Sequence, residues 1–284
     1  MPHDEFTLQT LVLPLLKKWK WIVGATAITT SIALAYALIT PPVYRADALL
    51  APVSSDNGGS ALGGLKGLGG LASLAGLNMS SAGERSIEAV ATLKSRALTE
   101  AFVEQNNLLP ILFHKQWDKV AGRWKSADPD EIPTLWDANE KIEKVVRTVG
   151  EDKKTSLITL SIEWTDPALA AKWANDLISR TNDLLRKRAI ERSENNIKFL
   201  QQQLAQTSVI EIKSSIYGLV EGEIKTIMLA QTSEDYAFRV IDPAIVPERK
   251  IRPKRALIVL LGFLGGLIFS SVIVLLFDHP PRPE

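Results

Sequence analysis

The two ends of the chain limit its fold more than anything between them. Ala256–Phe277 is a run of 22 residues without a charge. At ~1.5 Å per residue it reaches ~33 Å as a helix, enough to cross a hydrocarbon core of ~30 Å. Soluble core helices rarely run this long without a polar face. Trp21–Ile39 adds 19 uncharged residues behind "KKWK", so cations and two indoles stand where a membrane interface is expected. The same segment also fits a cleaved signal peptide, because Ala35, Tyr36 and Ala37 form an A-x-A pattern behind a basic region. Its length, and the hydroxyls of Thr26, Thr29, Thr30 and Ser31, suit a span better than a signal-peptide core.

Between the two segments lie roughly 215 residues, Thr40 to Arg255, one sizeable domain or a domain with an extension. This body holds 29 Lys/Arg against 28 Asp/Glu, so it lacks the basic excess of nucleic-acid binders. The chain has no cysteine, which removes disulfide frameworks, Cys-ligated zinc and thiol nucleophiles and fits an oxidising compartment. With Lys17, Lys18 and Lys20 cytoplasmic, two spans put the body outside and return the tail to the cytoplasm. Arg249, Lys250, Arg252, Lys254 and Arg255 then flank the second span on the outer side, against the positive-inside tendency. Long loops translocate largely regardless of charge, and basic residues beside a membrane also pair with anionic headgroups.

The body reads as α/β (α+β). "PPVYRADALLAPV" (41–53) is a strand leaving the first span, with Pro41 and Pro42 ending the helix. Residues 83–109 carry apolar positions at helical spacing. Residues 134–164 read as a helix and then a hairpin, whose second strand alternates Ile158, Leu160, Ile162 and Trp164 on one face. Asp166 as N-cap and Pro167 at the first helical position open the longest helix, which no Gly or Pro interrupts until about Gln206. At ~1.5 Å per residue it spans about 60 Å. Its middle, "RKRAIERSENN" (186–196), has almost no apolar stripe. A second helix, about 210–232, returns with Ile212, Ile216, Leu219, Val220, Ile224, Ile227 and Met228, and a strand at 236–242 leads to Pro243, Pro247 and Pro253. The two helices read either as an arm projecting from the base or as a hairpin lying flat on the sheet.

A first span, "PPVYRADALL", an α/β base, "DPALAAKWAN" opening a long helix, a proline-rich segment and a last span with glycines resemble, in that order, the polysaccharide co-polymerases, the Wzz-type O-antigen chain-length determinants. The resemblance covers essentially the whole chain and rests on the order of parts, since no single motif is specific. It implies an inner (plasma) membrane protein whose periplasmic domains form a homo-oligomeric ring. That ring would set the modal length of a lipid-linked polysaccharide made by a separate integral-membrane polymerase. Partners would thus be the chain itself, the polymerase, the lipid-linked glycan and membrane lipids, with no nucleic acid and no cofactor.

On that pattern the chain divides into a cytoplasmic N-terminus (1–20), transmembrane helix 1 (21–39), a periplasmic base (40–165) with a Gly/Leu-rich loop (58–77), and a helical arm (166–235). A final base strand with a proline-rich linker (236–255), transmembrane helix 2 (256–277) and a cytoplasmic tail (278–284) complete it. The arm is shorter than in many relatives. Some members of the exopolysaccharide branch continue into a tyrosine kinase. With seven residues after the second span, no kinase is expected here, and "GGLKG" (63–67) lacks the Lys-Ser/Thr of a P-loop.

Three groups of residues are candidates for contact rather than chemistry. Leu62, Leu65, Leu68, Leu71, Leu74 and Leu77 recur every third residue among eight glycines, a period that keeps no single helical face. They read as a low-complexity loop or as an apolar flap touching lipid, a neighbouring subunit or the polymerase. Gly262, Gly265 and Gly266 either reflect ordinary span composition or form a G-x-x-x-G face for close helix approach, against the first span or the polymerase. Pro41, Pro42, Pro243, Pro247 and Pro253 make the links to the spans rigid and non-helical. Catalysis has little material. The only histidines are His3, His114 and His279, and a carboxylate pair for glycan hydrolysis would have to be found in space rather than in spacing. The chain is therefore expected to be no enzyme. A membrane sensor would need a cytoplasmic output module. A capsule or exopolysaccharide export adaptor, working with a separately encoded tyrosine kinase or outer-membrane channel, is the alternative reading.

Overall fold

The computed structural model describes residues 18–53 and 81–277. The Gly/Leu-rich loop, His3, His279 and the tail lie outside the described residues. The chain forms two compact units, residues 1–44 with 248–284 and residues 45–247.

The first unit is a pair of helices, α1 (Trp19–Ile39) and α8 (Arg255–Phe277), which pack along each other. Both are long and apolar enough to cross a membrane. The hydroxyls that interrupt α1 do not go unsatisfied. Thr26 Oγ1 donates to the Ile22 carbonyl at 2.7 Å, Thr29 Oγ1 and Thr30 Oγ1 to that of Thr26 at 2.9 and 2.7 Å, and Ser31 Oγ to that of Ala27 at 2.8 Å. A hydroxyl bonded one turn back carries little cost in an apolar medium. A short strand, β7 (Lys250–Arg252), falls inside the proline-rich linker and pairs antiparallel with Val43 and Tyr44 at the start of strand β1 (Val43–Pro52).

In the second unit the sheet order is β4-β5-β1-β6, with β4 (Arg147–Glu151), β5 (Ile158–Trp164) and β6 (Phe238–Asp242). Alternation makes the sheet two-faced. Ala46, Ala48 and Leu50 of β1 and Ile158, Leu160 and Ile162 of β5 are buried on one side. On the other, Arg45 pairs with Glu163 at 2.6 Å and Ser161 donates to Asp47 at 2.6 Å. The apolar side packs on α6 (Pro167–Gln206) through Trp173, Leu177 and Ile178, and on α2 (Ser81–Lys94) and α3 (Arg96–Gln105) through Leu93, Phe102 and Val103. Phe102 meets Trp173 edge-on at 6.5 Å, and Trp173 meets Trp164 at 5.1 Å.

Residues 83–109 are not one helix but two. Ser95 breaks them, because its extended backbone and its Oγ, which accepts from Leu98 N at 3.2 Å, make it the N-cap of α3. A one-turn helix, α4 (Leu109–Leu112), leads into a small hairpin, β2 (Trp117–Asp118) with β3 (Arg123–Trp124). This hairpin has no counterpart in the sequence reading. α5 (Leu135–Lys141) follows, capped reciprocally by Thr134 and Asp137, and unwinds through Ile142–Val146 into β4.

The 40-residue α6 returns as α7 (Ile210–Thr232). Its buried residues run from Ala170 to Leu185, and beyond them only Ser193 is buried. The polar stretch foreseen at 186–196 is where α6 leaves the sheet core; it runs beside α7, with Asn196 bonded to Glu223 at 2.8 Å, while Arg85 and Glu88 of α2 and Tyr236 flank it near Arg188 and Arg192. The pair is a long helical arm.

Candidate functional site

The described residues include buried polar side chains that clip strands and helices together, a close-packed glycine face and exposed apolar positions. α6 begins at Asp166, whose Oδ1 accepts from Ala168 N at 2.9 Å and Leu169 N at 3.2 Å, with Pro167 at the first helical position. Two asparagines seven residues apart on α6 then hold β6 and its flanks by the backbone. Asn182 Oδ1 accepts from Ala237 N at 3.0 Å and Phe238 N at 2.8 Å, while its amide donates to the Phe238 carbonyl at 2.9 Å. Asn175 repeats the pattern at the other end of β6, accepting from Ala244 N at 3.0 Å and donating to its carbonyl at 2.9 Å. Each side chain acts as a peptide group would in a neighbouring strand.

Arg147 is the second clip. Its buried guanidinium donates to the Leu93 carbonyl at 2.8 Å, to Thr99 Oγ1 at 2.9 Å and to the Lys94 carbonyl at 3.0 Å. It thus closes the C-terminus of α2, where the helix dipole favours a cation. Burial pushes this guanidinium below its ordinary pKa, and the nearby Glu143 acts the other way.

In the helix pair, Gly262 and Gly266 face α1. A Cβ at Gly262 would overlap Ala33 Cβ, and one at Gly266 would overlap Thr29 Oγ1 while standing 3.3 Å from the Thr26 Cα. Gly265 has nothing within 4 Å of such an atom and lies on another face. The prolines bound the transitions between elements. Pro41 and Pro42 separate α1 from β1, Pro243 follows β6, Pro247 precedes β7, and Pro253 stands between β7 and α8. The six leucines of the Gly/Leu-rich loop lie outside the described residues.

α7 returns along α6 but leaves most of its apolar side unmatched. Ile216 and Ala230 are buried, whereas Ile212, Leu219, Ile224 and Met228 are exposed, Met228 by 61%. His114 is exposed, and among the described residues no group of three His, Asp or Glu side chains is placed to hold a metal ion. Asn175, Asn182 and Arg147 escaped the sequence reading. The one signal for the asparagines was the dipeptide Asn-Asp repeated at 175–176 and 182–183.

Residues 4–106 match the family model of the Wzz chain length determinant protein, and residues 198–277 match that of GNVR, the G-rich domain on putative tyrosine kinase. Each match covers less than half of the chain. Among curated proteins, the tyrosine-protein kinases Etk of Escherichia coli K12 and of E. coli O127:H6 are each 28% identical over 157 residues. That alignment takes in 53% of this chain and 20% of theirs, so the chain spans about a fifth of the length of these relatives. Among solved structures, a full-length bacterial polysaccharide co-polymerase aligns over 97% of this chain and 100% of its own, at 13% identity and a TM-score of 0.43. A fragment of WzzB, the polysaccharide co-polymerase from Salmonella Typhimurium, aligns over 74% and 100%, at 15% identity and a TM-score of 0.31.

Proposed function

We propose that this chain is a non-catalytic regulator of the modal length of lipopolysaccharide O-antigen, acting as a ring of identical subunits with a separate integral-membrane polymerase. The observation that carries the reading is the chain length determinant match over residues 4–106, in a chain whose α/β body is bracketed by two apolar, paired helices. Both helices cross the inner membrane, with the body and its arm in the periplasm. Gly262 and Gly266 seat the second span against the first, and the prolines keep the links to the body from becoming helical. The exposed apolar side of α7 supports self-assembly, because a helix that keeps Ile212, Leu219, Ile224 and Met228 in water is short of a partner. Length control then follows from contact and geometry: the ring holds polymerase and polymer together for a set interval or over a set span.

A second reading, an export adaptor for capsule or exopolysaccharide, is favoured by the Etk similarity and the GNVR match. Deleting the gene and restoring it separates the two. The O-antigen reading expects a clustered lipopolysaccharide ladder that collapses to a broad distribution on deletion and returns on restoration. An unchanged ladder with altered capsule or secreted polymer replaces it with the adaptor.

A further inference from the structure

A cleft of about 1150 Å³ lies in a part of the base that neither the spans nor the arm use. Its walls come from the β2–β3 hairpin, the turn Pro129–Glu131 and α5. The volume lies just above the usual range of small-ligand pockets, roughly 300–1,000 Å³.

Its chemistry is uneven. Four lysines and four carboxylates line it, but two of the carboxylates are already engaged. Asp137 accepts from Thr134 N and Oγ1, both at 2.8 Å, and Glu140 pairs with Lys144. Lys115, Lys125 and Lys141 remain, against Asp130 and Glu131, and no ion pair joins these five among the described residues. Two of the three ammonium groups are fixed by backbone. Lys125 Nζ donates to the Lys115 carbonyl at 2.8 Å, and Lys141 Nζ donates to that of Leu112 while sitting 4.6 Å over the Phe113 ring. Burial holds the Lys141 amine below its ordinary pKa, and the charge of Lys115 adds to this.

The aromatic wall is equally fixed. Trp124 packs edge-on against Trp117 at 4.9 Å and 77°, across a hairpin turn that Asp118 braces by accepting from Val120 N at 2.9 Å and Ala121 N at 3.1 Å. An indole beside oriented cations and carboxylates suits a ligand with an apolar face, many hydroxyls and a negative substituent. A sugar ring bearing a carboxylate has all three. Its C–H face stacks on the indole, its hydroxyls donate to Asp130 and Glu131, and its carboxylate takes the lysine ammonium groups.

We propose that this cleft binds acidic sugar units of the growing polymer, with Trp124 as the stacking surface and Lys115, Lys125 and Lys141 as the partners of the sugar carboxylate. The inference rests on the reading that the chain acts on a surface glycan, and adds the sugar chemistry it takes.

The test is saturation-transfer NMR on the full chain in lipid nanodiscs, with tetragalacturonic acid and maltotetraose as probes. Transfer to the acidic tetrasaccharide is expected, with binding of the neutral one about tenfold weaker or more. Lys115→Ala, at an exposed position, should remove that preference without unfolding the base. Trp124→Phe, which keeps an aromatic on Trp117, should weaken binding of both probes. No transfer to the acidic probe, equal transfer to both, or an acidic preference untouched by Lys115→Ala overturns the proposal. Polymer length recorded on the same variants keeps the two readings apart. A normal length distribution in cells, with no binding in nanodiscs, sinks the cleft and spares length control. A distribution indifferent to deletion of the gene sinks length control, while the NMR result still decides the cleft.

Discussion

Replacing Asn182 by leucine, close to it in size, should loosen β6 far more than its single side chain suggests. Three hydrogen bonds to Ala237 and Phe238 disappear together. At ~1 kcal/mol net for each, the loss starts near ~3 kcal/mol, and the buried peptide groups left without partners raise it toward ~5 kcal/mol. Hydrogen exchange on the full chain in detergent reads this directly at the amides of residues 237 and 238. A loss of ~3 kcal/mol corresponds to exchange faster on the order of 10²-fold. Asn182→Asp keeps the acceptor for both amides but faces the Phe238 carbonyl with an oxygen instead of a donor, so it should retain only part of the protection at 237–238. Exchange at 237–238 within about threefold of wild type after Asn182→Leu would refute the view that this amide holds the strand, since threefold is only ~0.6 kcal/mol.

Arg147→Met should cost about 3–5 kcal/mol, because it strips three bonds from the end of α2; a shift of the thermal midpoint in detergent reads it, and Lys at this position should restore only part. In the helix pair, Gly266→Leu should separate α8 from α1 at a cost of ~1–3 kcal/mol, whereas Gly265→Leu, with open space around it, should leave the melting point nearly unchanged. Asp137 is held below the ordinary carboxylate pKa chiefly by its bond from Thr134 N. Its contribution to stability is thus present above the unfolded-state value and lost as pH falls through the folded one. Asp137→Ala should cost about 1 kcal/mol at neutral pH, and melts of the two proteins should converge in acid.

The elements legible in the sequence were those whose signal is local. Asp166 and Pro167 marked the start of α6, the alternation of Ile158, Leu160, Ile162 and Trp164 marked β5, and the lack of charge over residues 256–277 marked α8. What stayed hidden depends on partners far along the chain. Arg147 reaches carbonyls 53 and 54 residues away, and Asn182 an amide 56 away. Neither residue type announces whether it will be a solvated surface group or a buried clip. The β2–β3 hairpin escaped for a different reason: two strands of two residues have no period, and their turn depends on Gly122 at φ +62° and on the Asp118 carboxylate. The cleft beside it is therefore assembled from segments that carry no motif.

The most direct test of length control is a reconstitution. The polymerase, its lipid-linked repeat units and this chain are combined in proteoliposomes, and product lengths are measured with and without the chain. The expected result is a distribution gathered around one modal length when the chain is present and a broad one when it is omitted. The same broad distribution in both would contradict the central claim.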